Sequence, residues 1–238
     1  MSVRLLLTSL YDQLHHALYY PPMGETLKDN LRVAYDRNAA ERDGYAKELW
    51  KVAERQHFLA LLQAEHKQSL LELGAGPGTD SLFFQQHGLA VTATDLSPEM
   101  IKRCRAKGLT AYVLDFSDLQ MPANSFDAVY ALNSLLHLPK RDLPHVLQRI
   151  HTILKPRGLF YFGVYGGHDH EGPLPNDSYD PPRFFSFYTD EHLHQRVRNV
   201  FDVLSYTPIT LGENNFHFQS FVLRKAGVHD SQNDVAVT

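Results

Sequence analysis

"LLELGAGPGTD", residues 70–80, carries glycines at 74, 76 and 78, two positions after an acidic residue, Glu72. Glycine has no Cβ, so it reaches backbone angles and approach distances closed to other residues. Three of them directly after the apolar run 69–73 describe a strand that turns sharply into a helix and leaves its backbone open to a ligand. Two common versions of such a turn do not fit. G-x-G-x-x-G counted from Gly74 needs glycine at 79, where Thr79 stands, and no Lys follows as a P-loop requires.

Outward from this turn the chain alternates. Apolar runs at 69–73, 89–94, 110–115, 127–132 and 159–165 are separated by helical stretches at 80–88, 98–108 and 140–155. Near-continuous hydrophobic strands alternating with helices predict a parallel sheet covered on both faces. A further helix opens on Thr189 and Asp190, after which two strand-like runs, 202–211 and 216–225, flank "GENN" and predict an antiparallel hairpin. Upstream, residues 41–65 show apolar positions at helical spacing, Ala46, Leu49, Trp50 and Ala53 among them. The last thirteen residues are small and polar and read as a frayed tail.

Composition narrows the partners. The 238 residues are 43% hydrophobic, enough for a sizeable core. The net charge is −4 and no Lys/Arg cluster stands out, which argues against a nucleic-acid partner. The N-terminal apolar run is broken by Thr8, Ser9 and Asp12, too short for a secretory segment, and no stretch approaches the ~18 residues of a membrane span. The single Cys104 makes no internal disulfide and fits a reducing compartment. A cytoplasmic protein with no membrane contact is expected.

In an open α/β sheet the ligand lies beyond the carboxyl ends of the strands, at the switch point. Asp95 ends the second strand, where a carboxylate can accept both hydroxyls of a ribose; its distance of about 20 residues from the glycines suits a dinucleotide equally. Capping the next helix is the other use for Asp95, but Ser97 before Pro98 does that better. Asp115 ends the third strand beside Phe116, an acceptor and a ring suited to adenine; an Asx-type turn is the alternative for Asp115.

Glu72-Leu-Gly-Ala-Gly-Pro-Gly78, Asp95-Leu-Ser-Pro-Glu-Met100, Asp115-Phe116, "FDAVYALNSLLHL" (126–138) and "LKPRGLF" (154–160) together resemble the class I S-adenosylmethionine-dependent methyltransferases, most closely the bacterial small-molecule branch. The resemblance covers 69–165 closely and 188–225 more loosely, with Glu72 where an Asp is often seen. It implies a Rossmann-like doubly wound α/β sheet, mostly parallel, with an antiparallel C-terminal hairpin. It also implies S-adenosylmethionine as cofactor and methyl transfer to an O or N atom of a small molecule. By position, Gly74, Ala75 and Gly76 would line the methionine part, with Glu72 just ahead of them. Asp95 would hold the ribose, Leu96 and Met100 would pack by the adenine, and Asp115 and Phe116 would hold it; Leu132 and Asn133 would face the sulfonium.

His137 is the one histidine that the motifs place beside the site, as a base or as packing. Other constellations are weaker. "DPPR" (180–183) lacks the aromatic residue and the position of the amino-methylating motif and reads as a turn. Cys104 reads as structural, although Arg103 and Arg105 would permit a lowered pKa. His168, His170 and Glu171 are too few and too loosely spaced for a metal, and none is expected.

The expected organisation is a helical extension or lid over 1–65, a methyltransferase domain over 66–226 with a lid loop at 166–187, and a flexible tail over 227–238. The aromatic loop and the N-terminal tyrosines Tyr11, Tyr19, Tyr20 and Tyr35 are expected to close the pocket, Tyr35 over the acceptor. Two other readings of the same scaffold are a nicotinamide-dependent oxidoreductase, against which Thr79 and the closing hairpin speak, and a non-catalytic cofactor-binding scaffold.

Overall fold

A computed structural model describes residues 25–211 and 216–226. The five apolar runs form parallel strands β1 (Ser69–Leu73), β2 (Ala90–Asp95), β3 (Thr110–Val113), β4 (Phe126–Leu132) and β5 (Leu154–Gly166). Strands β6 (His170–Pro173) and β7 (Phe184–Phe187) pair apart from these as a small hairpin. Strands β8 (Asp202–Thr210) and β9 (His217–Arg224) add antiparallel to β5, giving the seven-stranded order β3-β2-β1-β4-β5-β9-β8. Residues 212–215, where the connecting turn is expected, lie outside the described residues, as do Tyr11, Tyr19, Tyr20 and residues 227–238, where a flexible tail is expected.

Six helices are described: α1 (Glu25–Asp43), α2 (Leu49–Ala64), α3 (Thr79–Gln86), α4 (Pro98–Ala106), α5 (Leu143–Ile153) and α6 (Asp190–Arg198). Ser97 caps α4 by accepting from the Met100 amide at 3.1 Å, with Pro98 in the first turn, and Thr189 caps α6 by accepting from His192. The strands are covered on both faces. Leu70, Ala128 and Tyr130 pack against Phe58, Leu62 and Phe84 of α2 and α3. Their neighbours Leu71, Val129 and Ala131 point the other way, to Val146 and Ile150 of α5 and Leu193 of α6. Alternate residues of one strand thus enter opposite layers, as the two-residue period of a strand dictates.

Two expectations are corrected. The helix expected over 41–65 is two helices: α1 ends at Asp43, residues 44–48 are not helical, and α2 starts at Leu49. Gly44 sits at the break, where the cost of a helical glycine is saved. Leu49, one of the apolar positions at helical spacing, is 87% exposed. The expected loop at 166–187 is partly the β6–β7 hairpin, whose alternating Phe185 and Phe187 are buried. Aromatic residues at period two favour a pleated, half-buried strand over an open loop.

α1 lies against α4. Asp36 accepts from the Ser97 hydroxyl and from the Glu99 amide at 3.2 Å, Asp43 pairs with Arg103 and Lys107, and Lys28 pairs with Asp115 at 2.5 Å. No helix among the described residues is long and apolar enough to cross a membrane.

The amino ends of three strands are tied by one carboxylate. Asp127 accepts from the Ser69 hydroxyl (2.7 Å), the Ser69 amide (3.0 Å) and Lys155 (3.0 Å), and its own amide donates back to Ser69 Oγ. Burial raises its pKa, but these bonds outweigh burial and bring it down to about 2. A depressed carboxylate contributes stability above its unfolded pKa and loses it as pH falls through the folded value. Asp127→Asn is therefore expected to unfold at lower denaturant than the parent at neutral pH, with the gap closing between about pH 4 and 2. Paired urea titrations across that range check this.

Candidate active site

The three glycines meet different neighbours. A Cβ on Gly74 would lie 2.3 Å from the Ser134 Cβ, and one on Gly78 would lie 2.7 Å from Leu109 and 2.9 Å from Cys104 Sγ. Those two positions are reserved by the protein's own packing. Gly76, at φ +55°, meets nothing within 4 Å, so its bare face opens on the cleft. The sequence argument gave Gly74 and Gly76 to the cofactor; both border the cleft, but only at Gly76 does the missing side chain leave open space.

That cleft has a volume of about 250 Å³ and sits at the carboxyl ends of β1, β2 and β4, where the strand order reverses. Asp95 stands at its edge. One carboxylate oxygen accepts from the Gly76 amide (2.8 Å) and the other from the Ser97 amide (2.9 Å). Each oxygen keeps a further lone pair for a hydroxyl. Burial raises the Asp95 pKa, against the two amide bonds. Across the cleft, Asn133 holds φ +54°, anchored by its amide on the Gly163 carbonyl (2.8 Å). Its side-chain Oδ1 and the Ser134 hydroxyl are buried with no partner among the described residues.

A second wall comes from α1 and the segment before β7. His137 is buried, with Nδ1 2.7 Å from the Phe184 carbonyl and Nε2 2.6 Å from the Tyr35 hydroxyl. Burial first, then the Arg183 and Arg42 charges, push its pKa down to about 3, only partly opposed by the Phe184 bond. Arg183 is held by Asp177 at 2.6 Å and lies 3.7 Å over the Tyr179 ring, while Arg42 donates to the Tyr179 hydroxyl at 3.1 Å. Burial raises the Tyr35 pKa, and both guanidiniums oppose it.

Gly74, Gly76, Asp95, Leu96, Phe116, Leu132, Asn133, Tyr35 and His137 line the cleft as a group. Four residues expected there are elsewhere. Ala75 is buried beneath the loop with Ile101 and Cys104, and Met100 is buried in α4. Asp115 caps a short turn by accepting from the Ser117 amide (2.8 Å) and pairs with Lys28, so its carboxylate is already engaged. This is the Asx-type geometry. Glu72 is buried under the turn, receives the Ser81 hydroxyl, and has its pKa raised, by burial first and then by the Asp80 carboxylate.

Arg42, Lys47, Lys51 and Ser134 line the cleft without having been foreseen, and Arg183 stands behind Tyr35. Ser134 alone had a local signal, its place directly after Asn133 in the fourth-strand motif. Cys104 is buried, 3.2 Å from the Gly76 carbonyl, with burial pushing its thiol up to about 12; its Arg neighbours do not activate it. His170 bonds the Gly172 carbonyl and Glu171 accepts from the Lys140 amide. No group of three or more His, Cys, Asp or Glu side chains suited to a metal occurs among the described residues.

The glycines make a paired prediction. Gly74→Ala drives a methyl into Ser134 at a positive φ and is expected to lower the unfolding midpoint clearly. Gly76→Ala carries only the strain of a left-handed residue, ~1–2 kcal/mol, yet fills the open face. Thermal melts should separate the two, and ligand binding should be lost in Gly76→Ala despite its better stability.

The model of a sequence family described as "Methyltransferase domain" matches residues 70–158. A sterol 24-C-methyltransferase of Aspergillus fumigatus is 29% identical over 157 residues, 62% of this chain and 37% of that protein. A malonyl-[acyl-carrier protein] O-methyltransferase of Herminiimonas arsenicoxydans is 34% identical over 106 residues, 44% of this chain and 40% of that protein. The chain thus spans well under two thirds of the length of these curated relatives. Among solved structures, the Burkholderia thailandensis 1,6-didemethyltoxoflavin-N1-methyltransferase, with 1,6-didemethyltoxoflavin and S-adenosylhomocysteine bound, superposes with a TM-score of 0.62 at 22% identity, over 86% of this chain and 92% of that one. The switch-point cleft and the glycine turn fall within or beside the matched residues: over 70–158 the chain matches the family described as a methyltransferase domain, and its fold is that of the solved methyltransferase structure.

Proposed function

We propose that the protein transfers a methyl group from S-adenosylmethionine to a nitrogen or oxygen atom of a small molecule. The observation that carries this is the pairing of Gly76, whose missing side chain meets open space, with Asp95, whose carboxylate is oriented by two amides and retains acceptor capacity. A nucleoside with a charged tail fits that set. Asp95 holds the ribose hydroxyls, Leu96 and Phe116 take the adenine, and the turn at Gly74 and Gly76 passes under the tail. The partnerless Asn133 Oδ1 and Ser134 hydroxyl receive its polar groups.

When bound, the cofactor supplies an electrophilic methyl on a sulfonium. Its leaving group is neutral, so the chain need not protonate it. What the residues contribute is orientation: a cleft that holds the acceptor behind the methyl supplies up to ~7–11 kcal/mol of the barrier reduction. Leu132 and Asn133 end the strand that faces this point. The relatives named above methylate carbon and oxygen centres by their names, so the shared domain leaves the acceptor to the surrounding wall. A cleft of this size and a net charge of −4 suit a metabolite better than a nucleic acid. A lone buried thiol suits the cytoplasm.

Calorimetric titration with S-adenosylhomocysteine and with NAD tests the cofactor. Saturable binding of the first and none of the second is expected, and the reverse would select the oxidoreductase. Asp95→Ala removes two charge-assisted hydrogen bonds of ~1.5–3 kcal/mol each, so affinity should fall roughly 100-fold or more. An Asp95→Ala protein that folds and binds with the parent's affinity removes the ribose role. Transfer of labelled methyl to any metabolite separates an enzyme from a binding scaffold.

The division of the chain follows from the same reading. Of the extension expected over 1–65, the described residues 25–65 serve with 166–187 as the acceptor-side wall, and 66–226 as the catalytic domain. Hydrogen exchange should slow over α1 and over 174–187 when S-adenosylhomocysteine is added; equal exchange with and without it would leave them a fixed wall.

A further inference from the structure

The Tyr35–His137 pair has a direction. A carbonyl oxygen can only accept, so the bond to Phe184 requires the His137 proton to be on Nδ1. Nε2 is then an acceptor, and the Tyr35 hydroxyl, 2.6 Å away, must donate to it. Tyr35 has no second proton. The nearest other donor to its oxygen is Arg183 Nη1 at 3.4 Å. Tyr35 and His137 both line the cleft. Tyr35 therefore offers the cleft a lone pair and nothing else, and both nitrogens of His137 are in use. The charged and titratable groups around the pair are Arg42 from α1 and Arg183, Asp177 and Tyr179 from the segment before β7; burial first, and then the two guanidiniums, keep the imidazole neutral.

We propose that Tyr35 is the group that meets the methyl acceptor, that His137 is a positioning residue which fixes Tyr35 as a hydrogen-bond acceptor, and that the methylated atom is a neutral nitrogen bearing hydrogen. This rests on the methyl-transfer reading above and narrows it from oxygen or nitrogen to nitrogen. A hydroxyl would need a base ahead of transfer; Tyr35 could take a proton only by passing its own to His137 Nε2, and burial makes that imidazole a poor resting place for one. An oxyanion brings no hydrogen for Tyr35 and would face its lone pair. An uncharged amine or ring N–H needs no deprotonation before it attacks. Its lone pair forms the new N–C bond, the S–C bonding pair stays on sulfur as a neutral thioether, and the extra hydrogen on the methylated nitrogen leaves to water with the product. Tyr35 holds the N–H during attack and so aims the lone pair at the methyl.

The test uses the full chain with methyl-labelled S-adenosylmethionine and matched probes, weakly basic aromatic amines against the corresponding phenols. Transfer is expected to the amines and not to the phenols. Tyr35→Phe and His137→Leu should each lower kcat roughly ten-fold or more with a smaller change in KM. His137→Gln, whose Oε1 can take the Tyr35 proton in a hydrogen bond, should recover much of the loss. If phenols are methylated as well as amines, or if His137→Gln is as slow as His137→Leu while Tyr35→Phe retains the parent rate, His137 is the base and the proposal falls. If no probe is turned over, imidazole nitrogen spectra of the folded protein decide. A His137 ring that holds one tautomer through neutral pH, with an Nε2 signal that moves in Tyr35→Phe, supports the pair; a ring that titrates near the ordinary histidine value overturns it. Failure to bind S-adenosylhomocysteine would overturn the methyl-transfer reading and with it the nitrogen acceptor, while the spectra would still report on the pair.

Discussion

The structure turns on the contact between Gly74 and Ser134. One ends β1 and the other follows β4, adjacent strands from which the chain departs in opposite directions. With no Cβ at 74, the two strand ends close to a distance at which no methyl could stand between them. The turn is held there by the amides of Gly74 and Ala75 on the Thr94 carbonyl, each at 2.8 Å, and by Asn133 on Gly163. The cleft is what remains above that contact. Its floor is backbone, and backbone that is tied to three strands moves little.

The walls are made differently. Those at the glycine turn and Asp95 come from residues close in sequence, whereas Tyr35, His137 and Arg183 come from segments about 50 to 150 positions apart and meet through side chains. Much of the charge there is paired. Arg183 is neutralised by Asp177, and Lys47 and Arg55 share Asp80 at 2.7 and 3.0 Å. A reaction with a neutral leaving group asks for a shaped, quiet surface more than for strong acids and bases.

This difference decides what the sequence could say. The strands from 69 to 165 were legible because burial on both faces forces long apolar runs, and the turn because Gly74 and Gly78 answer to local packing while Gly76 answers to the open cleft. Ser97 was legible because capping is a matter of three residues. α1 was not: its buried positions, Leu31, Ala34 and Ala39, are few and set among charges. Its stability comes from Asp36 and Asp43 reaching another helix, which no local pattern announces. Arg183 looked like the end of a turn because its partners, Asp177 and Tyr35, share no motif with it. Asp115 was legible as a carboxylate at a strand end, but Lys28, which pairs with it, lies far upstream.

α1 presents Tyr35 to the cleft and, at the next residue, Asp36 to the amino end of α4. The same helix is therefore part of the acceptor wall and part of the frame around Asp95, through Ser97. A helix that does both makes the two halves of the pocket one mechanical unit. Its displacement would loosen the strand end that carries Asp95, and its settling would set the wall at Tyr35. Under the methyl transfer proposed above, the kinetic consequence expected is an ordered scheme, in which the nucleoside enters first and the acceptor finds a finished surface.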